Sequence, residues 1–237
     1  AKAGHEVAFG QRVFKVGTSV ELDCKKPINV VDGTFNIGIS GENFEVLFSK
    51  YGLGLTSYKY RGREFLSDRP RPNFWRAPTD NDWGNMMPYR YAQWKIAGLY
   101  FKVDLIDWKS DDNMVTVRYR YTLSTSPVSI CIVTYKVDGY GTVNVKMELE
   151  PAAGLSPMPE FGFMFKLPAD YENIEWYAMG PEENYCDRNK GARLGVYKQK
   201  VIDNLTRYGR PQEYGNRTGV RYVKVRDNSG CGLDFYG

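Results

Sequence analysis

Apolar and polar residues alternate with a period of two along most of this chain, which is typical of strands with one buried face. Between 115 and 121, for example, the odd positions are valine or tyrosine and the even ones are threonine or arginine. Turn residues separate such segments at roughly the spacing of β-sandwich proteins. The predicted strands are 35–39, 44–48, 53–60, 63–66, 99–108, 114–124, 128–137, 142–150, 161–167, 174–179, 220–225 and 231–235.

One segment favours a helix. Between Pro88 and Gly98 we expect Tyr91, Trp94, Ile96 and Ala97 to share a face, and the glycine supplies a C-terminal stop. Residues 191–210 are less regular and predict a loop with a short helix or strand. The arginine-rich stretch 61–71 predicts a solvated loop. The fold class is therefore all-β and antiparallel, with one short helix.

The same strand pattern continues on both sides of the proline- and glycine-rich stretch 151–160, so we interpret this stretch as a crossover between two sheets. Residues 13–237 are then expected to form a single domain. Residues 1–12 mix small and charged side chains, which predicts a linker or first edge strand entering from an upstream domain.

Composition narrows the function classes. Hydrophobic residues make up 42% of the 237 positions and aromatic ones 15%, enough for a sizeable core. The net charge of +4 is scattered, which argues against nucleic-acid and membrane partners. The 4 cysteines are widely separated, which predicts neither a metal site nor a disulfide scaffold. Cys131 lies in an apolar run and is expected in the core.

The stretch Arg71-Pro-Asn-Phe-Trp-Arg-Ala-Pro-Thr-Asp-Asn-Asp-Trp-Gly84 is unusually polar and aromatic at once. Its prolines disfavour a regular strand or helix. One interpretation is a loop anchored to the core by Phe74 and Trp75, with Asx-type turns at 80–82. The other is a binding site.

Three ordered blocks carry a family resemblance. Phe74–Gly84 is followed by Trp94-Lys-Ile-Ala-Gly98, then by Met179-Gly-Pro-Glu-Glu-Asn-Tyr-Cys-Asp-Arg188, and then by Pro211-Gln-Glu-Tyr-Gly-Asn-Arg-Thr-Gly-Val-Arg221. Together they resemble the C-terminal domain of glycoside hydrolase family two β-galactosidases of the bacterial lactose type. The resemblance covers nearly the whole chain.

The resemblance implies a large β-supersandwich like that of galactose mutarotases, truncated here at its C-terminus. It implies a bacterial parent enzyme that hydrolyses terminal non-reducing β-D-galactosides with retention and forms homo-oligomers. Its compartment, the bacterial cytoplasm or periplasm, stays open. The catalytic glutamates would belong to an upstream barrel domain, the partner of this region. No catalytic residue and no cofactor is expected in this chain, and any divalent or monovalent cation of the parent would bind elsewhere.

The resemblance also assigns site candidates. Those at the active-site edge, or in contact with sugar, are Trp75, Arg76, Asp80, Asn81, Asp82, Trp83 and Gly84. Gly84 would be a hinge and 85–88 a mobile segment, the alternative being that Gly84 ends a turn. The candidates for a structural network are Glu182, Glu183, Asn184, Asp187 and Arg188. A sugar-contact role for this second set stays open.

Other chemistries fit the residues poorly. A retaining glycosidase needs two converging carboxyl groups, whereas Glu182 and Glu183 as strand neighbours would point to opposite faces. Asp80 and Asp82 could share a face but, beside Arg76, are expected to be ion-paired scaffold carboxylates. Mutarotase chemistry needs a histidine acid, and the single histidine, His5, lies in the N-terminal arm. No metal site is predicted. The rival function is a stand-alone carbohydrate-binding module in which Trp75 or Trp83 stacks on sugar.

Overall fold

A computed structural model describes residues 2–13, 20–111 and 113–237 of the chain. Within them lie three short helices and a 3₁₀ turn (Val201–Asn204) among many strands. The helices are α1 (Asp80–Gly84), α2 (Met87–Arg90) and α3 (Ala92–Ala97). The strands are β1 (Asn29–Asp32), β2 (Asn36–Ser40), β3 (Phe44–Ser49), β4 (Leu55–Tyr60), β5 (Arg63–Glu64), β6 (Asp68–Asn73), β7 (Phe101–Asp111), β8 (Met114–Leu123), β9 (Ser129–Val137), β10 (Val143–Glu150), β11 (Gly162–Lys166), β12 (Asn173–Gly180), β13 (Arg193–Lys200), β14 (Tyr222–Arg226) and β15 (Gly232–Tyr236).

The strands form four antiparallel sheets. Their orders are β1-β2-β3-β4-β5, β10-β9-β8-β7, β11-β6 and β13-β12-β14-β15. In most of these sheets, strands that are consecutive in the sequence lie side by side, because short hairpins connect them. The predicted all-β antiparallel class is confirmed.

The chain divides into two compact units. One combines the first twenty residues with 170–237 and contains the sheet β13-β12-β14-β15; the other is 21–169 and contains the remaining sheets. The arm 2–13 has no strand among its described residues, and Gln11 exchanges side-chain hydrogen bonds with the backbone of Leu194 in β13 at 2.7 and 2.9 Å. The single domain 13–237 stays a prediction.

The core of the unit 21–169 lies between its two large sheets. The apolar positions of β2 and β3 and those of β8 and β9 are buried there. Phe48 of β3 packs on Tyr119 and Tyr135 with ring centroids 6.5 and 5.1 Å apart, and the Tyr119 hydroxyl donates to the Ser49 carbonyl at 2.7 Å. The alternation at 115–121 correctly predicted the buried face, and Cys131 is fully buried as expected.

Several local predictions were wrong. Phe35 lies before β2 and is 66% exposed, with its ring tilted against that of Tyr51 rather than in the core. The helix at 88–98 is divided at Tyr91 into α2 and α3, and Ile96 is exposed while Trp94 and Ala97 are buried.

Strand β6 was also missed, because its prolines and arginines resemble a loop. Its backbone pairs with β11 alone, so the missing proline N–H groups fall on a short sheet where they are tolerated. Strand β13 lies in the stretch 191–210, which gave only a weak strand signal. The predicted turn 110–113 includes residue 112, which is outside the described residues.

Candidate functional site

The stretch 71–84 changes from strand to helix within a few residues. Strand β6 ends at Asn73, and the next side chain, Phe74, is fully buried against Trp94 at a centroid distance of 5.9 Å. Trp75 is half-buried and packs against the same core. These aromatic side chains anchor the segment, as one of the two interpretations expected.

Helix α1 begins immediately afterwards, where turns were predicted. Thr79 is its N-cap in an extended conformation, with its hydroxyl accepting from the Asp82 N–H at 3.2 Å. The Asp82 carboxylate returns the contact by accepting from the Thr79 N–H at 2.8 Å. This reciprocal capping box satisfies donors that a helix N-terminus leaves unpaired, and explains why so short a helix forms here.

Arg76 completes a polar clamp on Asp82. Its Nη2 donates to Oδ1 at 3.1 Å, its Nη1 donates to Oδ2, and the Thr79 hydroxyl donates to Oδ2 at 2.9 Å. Asp82 is 8% exposed. Burial would raise its pKa, but the hydrogen bonds and charge of Arg76 and the hydrogen bonds of Thr79 outweigh burial, so the pKa lies below its usual value. The carboxylate is therefore held ionised.

Asp80 and Asp82 do not act as a pair. They are two positions apart on α1, so they face different directions, and Asp80 is exposed where Asp82 is buried. The expectation that they share a face was wrong, because a helix and not an extended turn carries them. Asn81 is exposed beside them.

Beyond the clamp, apolar side chains lie at the surface. Trp83 is 47% exposed, Met86 58% and Tyr89 80%. Met86 has the left-handed backbone, with φ of 61°, whereas Gly84 lies outside the left-handed region. The residue whose backbone is unusual in this segment is thus Met86, two positions after the predicted hinge.

The second candidate block follows β12 and so does not lie within a strand, contrary to our expectation for Glu182 and Glu183. Glu182 is exposed. The Glu183 side chain is 8% exposed and accepts from the Gly215 N–H and the Thr206 hydroxyl, both at 2.8 Å. Arg188 pairs with it at 2.6 Å.

Glu183 is also held ionised. Burial would raise its pKa, but the hydrogen bonds from Gly215, Thr206 and Arg188, with the arginine charge, outweigh burial and lower the pKa. The Tyr208 hydroxyl donates to the same carboxylate. A carboxylate with this many donors joins three chain segments.

Asn184 is 1% exposed, and both ends of its amide are bonded. Its Nδ2 donates to the carbonyls of Met179 and Glu182, each at 3.0 Å. Its Oδ1 accepts from the Thr218 N–H at 2.9 Å and from the Thr218 hydroxyl at 2.6 Å. Asp187 is exposed. Of the second candidate set, Glu183, Asn184 and Arg188 therefore form the hydrogen-bonded network.

Sequence reasoning missed several partners. Thr79 carried a usable signal, since a threonine three positions before a carboxylate is a capping-box pattern. Thr206, Tyr208 and Thr218 lie 23, 25 and 34 positions from the residues they bind, so no local pattern could reveal them.

A shallow groove of about 490 Å³ lies along β12 and β13, and its lining contains none of the predicted site residues. Among the described residues, no group of three or more histidine, cysteine, aspartate or glutamate side chains is placed to hold a metal ion. In the same part of the chain, no helix has the length and apolar character needed to cross a membrane.

Comparison with known proteins agrees with the motif blocks. The family model described as "Beta galactosidase small chain" matches residues 40–236. A β-galactosidase of Halalkalibacterium halodurans is 44% identical over 99% of this chain, which spans 24% of that protein. A β-galactosidase of Streptococcus thermophilus is 42% identical over 99% of this chain, which spans 23% of it.

A further relative is a separate, shorter polypeptide. The β-galactosidase small subunit of Latilactobacillus sakei is 29% identical over 86% of this chain and is matched over 70% of its own length. The matches thus include both long β-galactosidases and a small subunit. The chain belongs to the β-galactosidase small-chain family.

Proposed function

We propose that this chain is the small-chain region of a β-galactosidase that hydrolyses terminal non-reducing β-D-galactosides with retention. The catalytic glutamates lie in a barrel domain outside this chain, and this region forms part of the wall of the substrate pocket. It also packs against the barrel domain, and the complete enzyme is a homo-oligomer. Any cation that the enzyme uses binds outside this region.

The observation that carries the proposal is the polar clamp on α1. Arg76 and Thr79 fix the buried Asp82, and the next side chain, Trp83, is 47% exposed. A rigid support that holds an aromatic ring at the surface suits a sugar-pocket wall, because such rings stack on the apolar faces of sugars. Trp75, in contrast, packs on the core and is assigned a supporting role.

The carboxylates support a role without acid–base chemistry of their own. A glycosidase acid needs a raised pKa so that it is protonated near neutral pH. In the described part of the chain, every aspartate or glutamate with a shifted pKa has it lowered, Asp82 and Glu183 among them. These lowered pKa values support the proposal that this region supplies no acid or base, with the paired glutamates of the reaction in the barrel domain.

Substitution of Trp83 tests whether this region forms part of the wall of the substrate pocket. This chain replaces the matching region of the Halalkalibacterium β-galactosidase, and Trp83→Ala is introduced into the chimera. We expect KM for a chromogenic β-galactoside to rise roughly tenfold with a smaller change in kcat, since a stacking contact is worth about 1 kcal/mol or more. Tyr140→Ala, at an exposed turn of the unit 21–169, is the control. Unchanged KM in Trp83→Ala would contradict the assignment.

A stand-alone carbohydrate-binding module is the second candidate, favoured by the same exposed ring of Trp83. Isothermal titration of the chain with galactose and lactose separates the two functions. Millimolar or tighter binding that Trp83→Ala abolishes would favour the module. Absence of heat, together with an active chimera, would favour the pocket wall.

A further inference from the structure

A row of apolar side chains crosses the surface of the sheet β13-β12-β14-β15. Val196, Tyr177, Tyr222 and Tyr236 lie directly opposite one another in the register of the four strands. Val196 is 54% exposed and Tyr236 is 47% exposed, and the two rings between them are half-buried. The solvated face of an antiparallel sheet is normally polar, and exposed apolar patches mark binding sites. The row therefore indicates a binding surface.

The three tyrosine rings are evenly spaced along this row. The ring centroids of Tyr177 and Tyr222 are 5.9 Å apart, and those of Tyr222 and Tyr236 are 6.2 Å apart. This spacing is close to the length of one sugar unit in an extended β-linked glycan, and aromatic rings stack on the apolar faces of sugars. Successive rings are tilted by 52° and 53°, as suits a twisted sheet. The row therefore matches a single twisted chain of sugars and not a flat crystalline surface.

Two cations and a carboxylate hold the rings in place. The Arg221 Cζ is 5.3 Å from the centre of the Tyr177 ring, and the Lys224 Nζ is 4.9 Å from the centre of the Tyr222 ring. The Tyr222 hydroxyl donates to Glu175 Oε1 at 3.2 Å. These contacts fix the orientation of the rings before a ligand binds, which reduces the entropy lost on binding.

A row of paired charges runs beside the rings. Glu175 forms ion pairs with Lys198 and Lys224, both at 2.9 Å, and Asp234 pairs with Arg226. Residues two positions apart in a strand share a face, so these side chains lie on the same side of the sheet as the tyrosines. The cations offer donors and the carboxylates offer acceptors, while their charges cancel. Such a row suits the hydroxyl groups of a neutral ligand better than an ion.

The groove of about 490 Å³ along β12 and β13 extends this surface. Its lining includes Glu175 and Lys198 of the charged row, together with Asn173 and Arg226. Asn173 lies opposite Arg226 in the register of β12 and β14. By the same alternation, these four side chains share the face of the tyrosines. The aromatic row, the charged row and the groove thus lie side by side on one face of the sheet.

We propose that this face binds a neutral oligosaccharide with at least one sugar unit for each of the three tyrosine rings. The site is separate from Trp83 and independent of the proposed enzymatic function. The rings stack on successive sugars, and the charged row exchanges hydrogen bonds with the sugar hydroxyls. Because cross-strand aromatic pairs also stabilise a sheet without any ligand, the test needs a readout of binding.

Isothermal titration of the chain with β-linked galactotetraose, cellotetraose and galactose is the direct test. A tetrasaccharide reaches all three rings whereas galactose covers one, so we expect a neutral tetrasaccharide to bind roughly tenfold or more tightly than galactose. Tetragalacturonate, an acidic oligomer of similar length, should bind more weakly, because the cations of the charged row are already paired. Absence of heat with both neutral tetrasaccharides, or tighter binding of the acidic one, would overturn the proposal.

Variants locate the binding site. Tyr236→Ala, in the edge strand β15, should weaken tetrasaccharide binding roughly tenfold, and Tyr177→Ala should do the same. If Tyr177→Ala does not fold, Tyr236→Ala decides. The matched control is Tyr214→Ala, because Tyr214 is 45% exposed in the same unit but lies outside the sheet. It should bind as the original chain does. Binding that survives in Tyr236→Ala, or that is weakened equally in Tyr214→Ala, would overturn the site.

The oligosaccharide site and the pocket wall are tested separately. Trp83→Ala should leave tetrasaccharide binding unchanged, and Tyr236→Ala in the chimera should leave KM for the chromogenic β-galactoside unchanged. Loss of tetrasaccharide binding in Trp83→Ala would assign that binding to α1 and overturn the site on the sheet. The assignment of the pocket wall depends on KM alone, so either proposal can fail without the other.

Discussion

Arg76 and Asp82 lie six positions apart, and both guanidinium nitrogens Nη1 and Nη2 donate to the one carboxylate. The pair ties the residues after β6 to the first turn of α1. Because Asp82 also caps that helix through Thr79, one buried carboxylate fixes both the direction of the chain and the start of the helix.

Loss of the Asp82 carboxylate should destabilise this unit strongly. Asp82→Ala removes the carboxylate that Arg76 and the Thr79 N–H bind, so we expect the free energy of unfolding to fall by about 3 kcal/mol. Urea unfolding measures it. The control is Asp107→Ala, which removes an equally bidentate pair with Arg118 whose side chains are 51% and 45% exposed. That change should cost less than about 1 kcal/mol. Equal losses would contradict the clamp.

Glu175 should make stability depend on acid pH. Hydrogen bonds from Lys224 and Lys198 outweigh burial and, with the Tyr222 hydroxyl bond and the Lys224 charge, lower its pKa to about 2. Because the pKa is depressed on folding, this stabilisation is fully present above the unfolded value of about 4.3 and is lost as pH falls towards 2.

The measurement compares Glu175→Gln with the original chain in urea at a series of pH values. The variant should be less stable near neutral pH, and the difference should shrink below about pH 4. A difference that stays constant down to about pH 2 would show that the Glu175 pKa is not depressed.

The Asn184 amide should be essential to the second candidate block. Asn184→Ala removes the hydrogen bonds to the Met179 and Glu182 carbonyls and the acceptor of two Thr218 donors, so we expect a loss of about 3 kcal/mol. Thermal and urea unfolding test this. Asp187→Ala, in the same segment but exposed, should change stability by less than about 0.5 kcal/mol. A small effect at Asn184 would mean that water replaces its bonds.

The variant Gly84→Ala tests whether Gly84 acts as a hinge or only ends helix α1. Its backbone is outside the left-handed region and an added Cβ would meet no atom within 4 Å, so alanine should leave stability unchanged or raise it by up to about 1 kcal/mol. If Gly84 is a hinge, the chimera carrying this change should show altered kcat and KM together. Unchanged kinetics would leave only the helix-end role.

The sequence predicted well wherever one face of a strand is buried. The alternation at 115–121 corresponds to β8, because side chains in that strand meet one uniform core. The prediction missed β6, because its prolines are typical of a loop, although they are tolerated in a two-stranded sheet. The strand prediction was also wrong at Phe35, because the alternation of apolar and polar residues in the sequence continues beyond the residues that are buried in the sheet.

The site was predicted in composition but not in geometry. The pairing of Arg76 with an aspartate was predicted from their charges and their proximity in sequence. That the partner is Asp82 and not Asp80 depends on helix α1, which the two prolines of this stretch argued against. The partners of Glu183 come from distant segments that only the folded chain brings together. Local patterns carry no information on such contacts.

The most direct test of the central proposal is hydrolysis of a chromogenic β-galactoside by three proteins. These are this chain alone, the Halalkalibacterium β-galactosidase without its matching region, and the chimera that joins the two. We predict that the chimera hydrolyses the substrate and that neither part does so alone. Hydrolysis by this chain alone would reveal a carboxylate pair within it, and an inactive, folded chimera would show that the chain cannot complete a β-galactosidase.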